Sequence, residues 1–139
     1  MNFLNKLKPA VVDGIVIDGY YVCSDGHIWS AKRSGWRKLT PDISGNCPYP
    51  KVDFSMGSKK KKVLVHRVVC ETFHSFPMPE GVSDSEWKIT PKTVKKLLNS
   101  LYQVNHIDHN HTNHHPSNLE WKTVKGNARA YQEYRLASL

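Results

Sequence analysis

The sequence predicts an α+β protein: a small N-terminal antiparallel β-sheet, then a strand, a long loop, a second strand and a closing helix. Three observations predict it. Short β-rich runs separated by turn pairs fill residues 15–65, an aliphatic stripe at helical spacing follows, and from Tyr102 two short alternating segments precede a last polar helix. A chain of 139 residues allows one domain or two very small ones, so little independent core is available. The pattern divides into a β-rich module over 1–65 and a second unit over 66–139 that contains a helical insertion at about 78–101.

Element by element, the runs GYYVC, GHIWS, WRKLT, YPKVDF and KKVLVH are rich in β-branched and aromatic residues. They are broken at Asp25-Gly26, Ser34-Gly35, Ser44-Gly45 and Met56-Gly57, where glycine supplies the backbone freedom a reversal needs. Val65, Val68, Val69, Phe73 and Phe76 then recur at helical spacing, and Pro77 ends the pattern, which predicts a helix over 66–76. PMPEGVSDSEW reads as a loop. Thr90 before Pro91 reads as an N-cap with proline at the first helical position. In that helix Val94, Leu97, Leu98 and Leu101 make an apolar face, expected to pack on the core, opposite Lys92, Lys95, Lys96 and Asn99, which leave a DNA contact open as well. Residues 102–106 are the next strand, 107–117 the long loop and 119–122 the second strand, with Leu119 and Trp121 packing beneath. Thr123 caps the final helix, which carries Asn127 one turn inside.

Lys and Arg number 20 against 12 Asp and Glu, a formal net charge of +8 with a pI near 9.5, which favours a polyanionic partner. Cys23, Cys47 and Cys70 are widely spaced with no CxxC pair, so neither a disulfide framework nor a cysteine zinc knuckle is indicated. No run has the length of a membrane span, and MNFLNKLKPAVV lacks the continuous apolar region of a signal peptide. The expectation is a soluble protein of a reducing cell interior.

Residues 104–130 read VNHIDHNHTNHHPSNLEWKTVKGNARA, with His106, Asn118 and Asn127 separated by 12 and 9 positions. This resembles the HNH endonucleases of the phage and intron homing type, whose first strand carries VNHID or VDHID, whose second begins NLEW and whose helix supplies a last asparagine. YYVCSDGHIWS, PKVDF and VLVHRVV likewise resemble the N-terminal module that precedes the motif in such enzymes. The resemblance implies a ββα-metal nuclease motif in which His106 is the general base and Asn118 ties the loop to the strand. It also makes Asn105 and Asn127 the ligands of one divalent metal. The chemistry suits these residue types: phosphodiester hydrolysis needs a deprotonated water and a cation to neutralise developing charge, and neutral imidazole is a base near pH 7. Amide oxygens suit hard Mg²⁺ or Mn²⁺. Where many relatives have aspartate this chain has Asn105, so the site has one negative charge fewer and DNA phosphate is an expected co-ligand.

Five histidines (His106, His109, His111, His114 and His115) fall within ten residues. They permit an additional Zn²⁺ or Ni²⁺ site, although a polar loop over the active site accounts for them as well. Asp108 reads as a turn former, and Asp108, His109 and His111 are accessory candidates. His66, in the VHR signature, reads as a packing or capping residue rather than a catalytic one. The expected partner is double-stranded DNA. Its contacts are assigned to Lys32, Arg33, Arg37, Lys38, Lys59, Lys60, Lys61, Lys62, Arg67, Lys122, Lys125 and Arg129. A monomer would nick; a double-strand break would need a dimer or two sequential events. Ten residues beyond Arg129 leave no room in this sequence for the C-terminal helix-turn-helix of larger relatives, so specificity is expected to rest on the sheet module and the motif, or to be relaxed. Two rival readings remain: a weak or inactive DNA-binding regulator that retains the scaffold, and a histidine-rich metal-binding protein.

Overall fold

The computed structural model describes residues 3–43, 45, 48–74, 81–123 and 136–137. The class is α+β, but the strands form three small antiparallel sheets rather than one N-terminal sheet and a hairpin. β1 (Leu7–Val12), β2 (Ile15–Cys23), β3 (Ile28–Ser30) and β4 (Arg37–Lys38) make a meander in chain order. β5 (Lys51–Met56) and β6 (Lys59–Leu64) form a hairpin, as do β7 (Tyr102–His106) and β8 (Leu119–Thr123).

β1 was not among the expected strands. Pro9 lacks the N–H of a ladder donor and is tolerated because β1 lies at the edge of the meander, with a bulge between Pro9 and Val11. The backbone N–H of Val11 donates to Thr72 Oγ1 at 3.1 Å, and that of Asp13 to Glu71 Oε2 at 2.9 Å. Both acceptors belong to α1 (Val65–Phe73), so β1 is hydrogen-bonded to a helix some 60 residues away in sequence. Asp13 and Gly14 turn β1 into β2 with φ 51 and 77, two positive values as a two-residue type I′ hairpin turn requires.

α1 follows β6 directly and begins at Val65, ending at Phe73, slightly offset from the expected helix; residues 75–80 lie outside the described set. Val65, Val68 and Val69 are at most 1% exposed. At roughly 1.5–3 kcal/mol for each fully buried aliphatic side chain, this stripe fixes the helix against the sheets. One hydrophobic cluster joins it to Ala10, Tyr20 and Val22 of the meander, Val52 and Phe54 of β5, Val104 of β7 and Leu119 of β8. Tyr20 links two of the sheets, stacking on Phe54 at 4.2 Å and accepting from Ser55 N–H at 2.8 Å.

The insertion differs from expectation in three ways. SDSEW is no loop: α2 (Asp84–Ile89) starts at a capping box in which the Ser83 side chain accepts from Glu86 N–H while Glu86 reaches back to Ser83 N–H. Thr90 does not cap the following helix; its hydroxyl donates to the Glu86 carbonyl at 2.8 Å, so it closes α2 instead. In α3 (Lys92–Asn99) and just beyond it, Val94, Leu97 and Leu101 are 42%, 68% and 56% exposed, so the expected core-packing face points to solvent. Among the described residues no helix is long and apolar enough to cross a membrane. Cys23 and Cys70 are buried free thiols.

Candidate active site

The site begins at the end of β7. Alternation turns Val104 and His106 inward and Asn105 to the opposite face, and the β7–β8 register sets His106 across from Leu119 and Asn105 across from Glu120. Beneath the hairpin, α1 acts as a buttress. Trp121 Nε1 donates to the His74 carbonyl at 3.2 Å, the His74 ring contacts the Pro116 carbonyl at 2.6 Å, and the Arg67 guanidinium lies 5.5 Å over the Trp121 ring.

His106 is 4% exposed and sits among aromatic rings. Ring centres of His66, His111 and His114 lie 5.2, 5.9 and 6.0 Å away, and Tyr49 stacks at 6.0 Å. Tyr49 spans the group, 4.8 Å from His66 and 4.6 Å from His111. Burial, reinforced by His111, holds His106 below its ordinary pKa, with Asp108 opposing. Burial and the neighbouring charges of His106, His114 and Arg67 bring His66 to about 3; burial and His106 bring His114 to about 4. The three are neutral at pH 7, the state in which an imidazole accepts a proton. Three buried ring nitrogens (His106 Nε2, His66 Nδ1 and His114 Nδ1) have no hydrogen-bond partner among the described residues.

Asn118, 9% exposed, uses both ends of its amide. Its Oδ1 accepts from Asp108 N–H at 3.0 Å, and its Nδ2 donates to Asp108 Oδ1 at 2.9 Å and to the Asn113 carbonyl at 3.0 Å. The Asn118 carbonyl accepts from Ile107 N–H at 2.8 Å, so both sides of the loop are tied at the residue after His106. Asp108 forms the turn itself, accepting from Asn110 N–H and Asn113 Nδ2 at 2.8 Å each, bonds that hold its carboxyl below the usual range. His109, with φ 62, closes the turn by donating its N–H to the His106 carbonyl at 2.9 Å.

On the other face, Asn105 Nδ2 donates to Glu120 Oε1 at 2.9 Å, and Lys122 Nζ lies 3.6 Å from that oxygen. The remaining amide oxygen of Asn105 is a hard neutral donor, which fits a divalent cation of the Mg²⁺ class. Asn127, the second expected ligand, lies outside the described residues, as do Lys125 and Arg129. Among the described residues no group of three or more His, Cys, Asp or Glu side chains is arranged to hold a metal.

Residues 63–129 match the family model described as HNH endonuclease. The chain carries an HNH endonuclease domain. It is similar to an uncharacterised HNH endonuclease of Acanthamoeba polyphaga mimivirus, 28% identical over 110 residues, which covers 79% of this chain and 26% of that protein. Among solved structures it is similar to that of I-HmuI, an HNH homing endonuclease that binds and cleaves DNA, with a TM-score of 0.58 and 26% identity. That match covers 84% of this chain and 53% of the other. The chain thus spans about a quarter and about half of the lengths of these two relatives.

The basic residues around the HNH domain are distributed unevenly. Arg37 and Lys38 share a surface groove with Lys51, Lys62, Asp42 and Asp53. Lys32 packs over the Tyr20 ring at 5.7 Å, and Arg33 is exposed. Lys61 and Lys62 pair with Asp13 and Asp42 at 3.4 and 3.7 Å, and Arg67 with Glu71 at 3.9 Å. Lys59 and Lys60 are exposed and form no ion pair among the described residues. Tyr49 and Glu120 escaped the sequence reading as site residues, and His66 was read there as a packing or capping residue. For Glu120 a signal existed, since pairing VNH with NLE in antiparallel register places it opposite Asn105. For Tyr49 and His66 there was none, because only tertiary packing brings them to His106.

Proposed function

We propose that this protein is a metal-dependent endonuclease that hydrolyses phosphodiester bonds in double-stranded DNA, a nicking or homing enzyme of the phage kind. One observation carries the reading: a buried, neutral His106, anchored by the Asn118 network, stands one peptide from an amide oxygen that suits a hard cation. His106 takes the proton of the attacking water, and Asn118 holds the 107–117 loop so that the imidazole keeps its place. Asn105 and Asn127 hold one Mg²⁺ or Mn²⁺, which when bound neutralises charge developing on the phosphate. Lys59, Lys60, the groove at Arg37 and Lys38, Lys32 and Arg33 meet phosphates and position the duplex; Lys125 and Arg129 belong to the same set. A single centre cuts one strand per encounter, so a monomer nicks. Incubating supercoiled plasmid with the protein and Mg²⁺ or Mn²⁺, with EDTA as control, should give open circles only with metal. Plasmid that stays supercoiled with either metal at stoichiometric enzyme refutes the proposal.

A second reading, a DNA-binding regulator that retains the scaffold without cutting, draws on one feature: Tyr49 and His111 lie against a base that is 4% exposed. Retarded DNA mobility with no nicking under any metal selects that reading.

A further inference from the structure

A ligand amide has a problem that a ligand carboxylate lacks. The two oxygens of an aspartate are interchangeable, whereas an asparagine that turns its amide by half a revolution offers a cation its NH₂ group, which cannot bind it. Whatever holds Nδ2 therefore decides whether the position works. Asn105 is such a position, and Glu120 is its directly paired neighbour across the β7–β8 hairpin. A carboxylate only accepts hydrogen bonds, so only Nδ2 can face Glu120 Oε1 at 2.9 Å. Lys122 Nζ lies 3.6 Å from that same oxygen. Both residues are half-buried, and Asn105 Oδ1 accepts no hydrogen bond among the described residues.

We propose that Glu120 is a positioning residue that locks the Asn105 amide with its oxygen toward the metal, in place of the negative charge that an aspartate would bring. The inference rests on the reading of Asn105 as a ligand. It separates orientation from charge: Glu120 acts through the geometry of one hydrogen bond and does not itself bind the ion. Glutamine at 120 preserves that acceptor, alanine removes it, and aspartate at 105 makes the lock unnecessary.

The test is direct Mn²⁺ binding, read from loss of the free hexaaqua Mn²⁺ signal in electron paramagnetic resonance, with folding followed by circular dichroism. Glu120→Ala should weaken Mn²⁺ binding about 10- to 100-fold, the range for removing a hydrogen-bonded support of a metal ligand. Glu120→Gln should stay close to wild type, and Glu120→Ala should cost nothing further in an Asn105→Asp background. The amide protons of Asn105 should also shift upfield in the nuclear magnetic resonance spectrum of Glu120→Ala and not of Glu120→Gln. If Glu120→Gln binds as poorly as Glu120→Ala, the carboxylate acts by charge and the orienting role is overturned. If Asn105→Ala weakens binding and Glu120→Ala does not, the proposal falls and the ligand assignment stands. If Asn105→Ala leaves binding unchanged, both fall.

Discussion

Replacing Gly26 by alanine tests whether the N-terminal meander holds the active-site loop in place. Gly26 has φ +91, and a Cβ there would lie 2.6 Å from the His114 carbonyl carbon and nearer still to its oxygen. Carbon contacts settle at about 3.5–4.0 Å, so the backbone at His114 must retreat by about 1 Å. The left-handed conformation itself costs an L-residue roughly 1–2 kcal/mol, and forcing a packed neighbour aside costs about 1–3 kcal/mol more. Gly14→Ala separates the two effects, because Gly14 has φ +77 with nothing within 4 Å of an added Cβ. Thermal unfolding should show a drop of about 5 °C for Gly14→Ala and about 10 °C or more for Gly26→Ala, at a few degrees per kcal/mol for a domain of this size. The nicking rate should separate them further. His114 lies 6.0 Å from His106, and a displacement near 1 Å in a reacting centre can cost about 100-fold. Equal melting temperatures and equal nicking rates for the two variants would refute the argument that this contact fixes the loop.

Three further outcomes are expected. His106→Ala should abolish nicking while leaving duplex affinity in a gel-shift assay within about threefold; parallel loss of both would remove it as the base. Neutralising Lys59 and Lys60 together should flatten the salt dependence of DNA binding by roughly one log–log unit per lost phosphate contact, more than the same change at Lys61 and Lys62, which are already paired with Asp13 and Asp42. An unchanged slope would take the run out of the interface. In acid, His66 at about 3 and His114 at about 4 sit below their ordinary 6.5, so their contribution to stability is complete above pH 6.5 and drains away as pH falls toward those values. Glu71, pushed up to about 7 by burial, opposes this: it stabilises below its ordinary 4.5 and ceases to do so as pH rises through 7. His66→Gln should therefore flatten the acid side of a urea-unfolding pH profile, by up to about 1.4 kcal/mol per unit between pH 6.5 and 4. An unaltered acid limb would mean that His66 is not buried neutral.

What the sequence discloses is what its local chemistry determines. Asp25-Gly26, Ser34-Gly35 and Met56-Gly57 mark reversals because each glycine adopts a positive φ there. The Val65, Val68 and Val69 stripe is legible because one helix face is buried. β1 was hidden because Pro9 interrupts the alternation, and the strand is held by Thr72 and Glu71, acceptors from a distant helix that no local pattern announces. α2 was legible in principle, since Ser83 and Glu86 spell a capping box, but the surrounding Pro, Gly and Ser drew the segment toward loop. The apolar face of α3 shows the limit of periodicity, which reports that a helix is amphipathic and not what covers it.

At the site, the same division decides which roles could be foreseen. Asn118 and Asp108 act within one loop, so their hydrogen bonds follow from spacing, and the loop they shape ends at His106. The electrostatics of His106 have another origin. Its environment comes from Tyr49 in the chain leading into β5, His66 at the start of α1, and His111 and His114 across the loop. A second proton on this group would place like charges among rings only 5–6 Å apart. If His106 is the base proposed above, that repulsion favours the return of a proton it takes. The N-terminal meander contributes too, because it closes on the loop at Gly26 and His114. An excised 66–139 fragment would lose both Tyr49 and that contact, and should expose His106, raise its pKa toward the ordinary value and lose activity even if it kept the hairpin. Full nicking by the fragment would mean that the base needs neither.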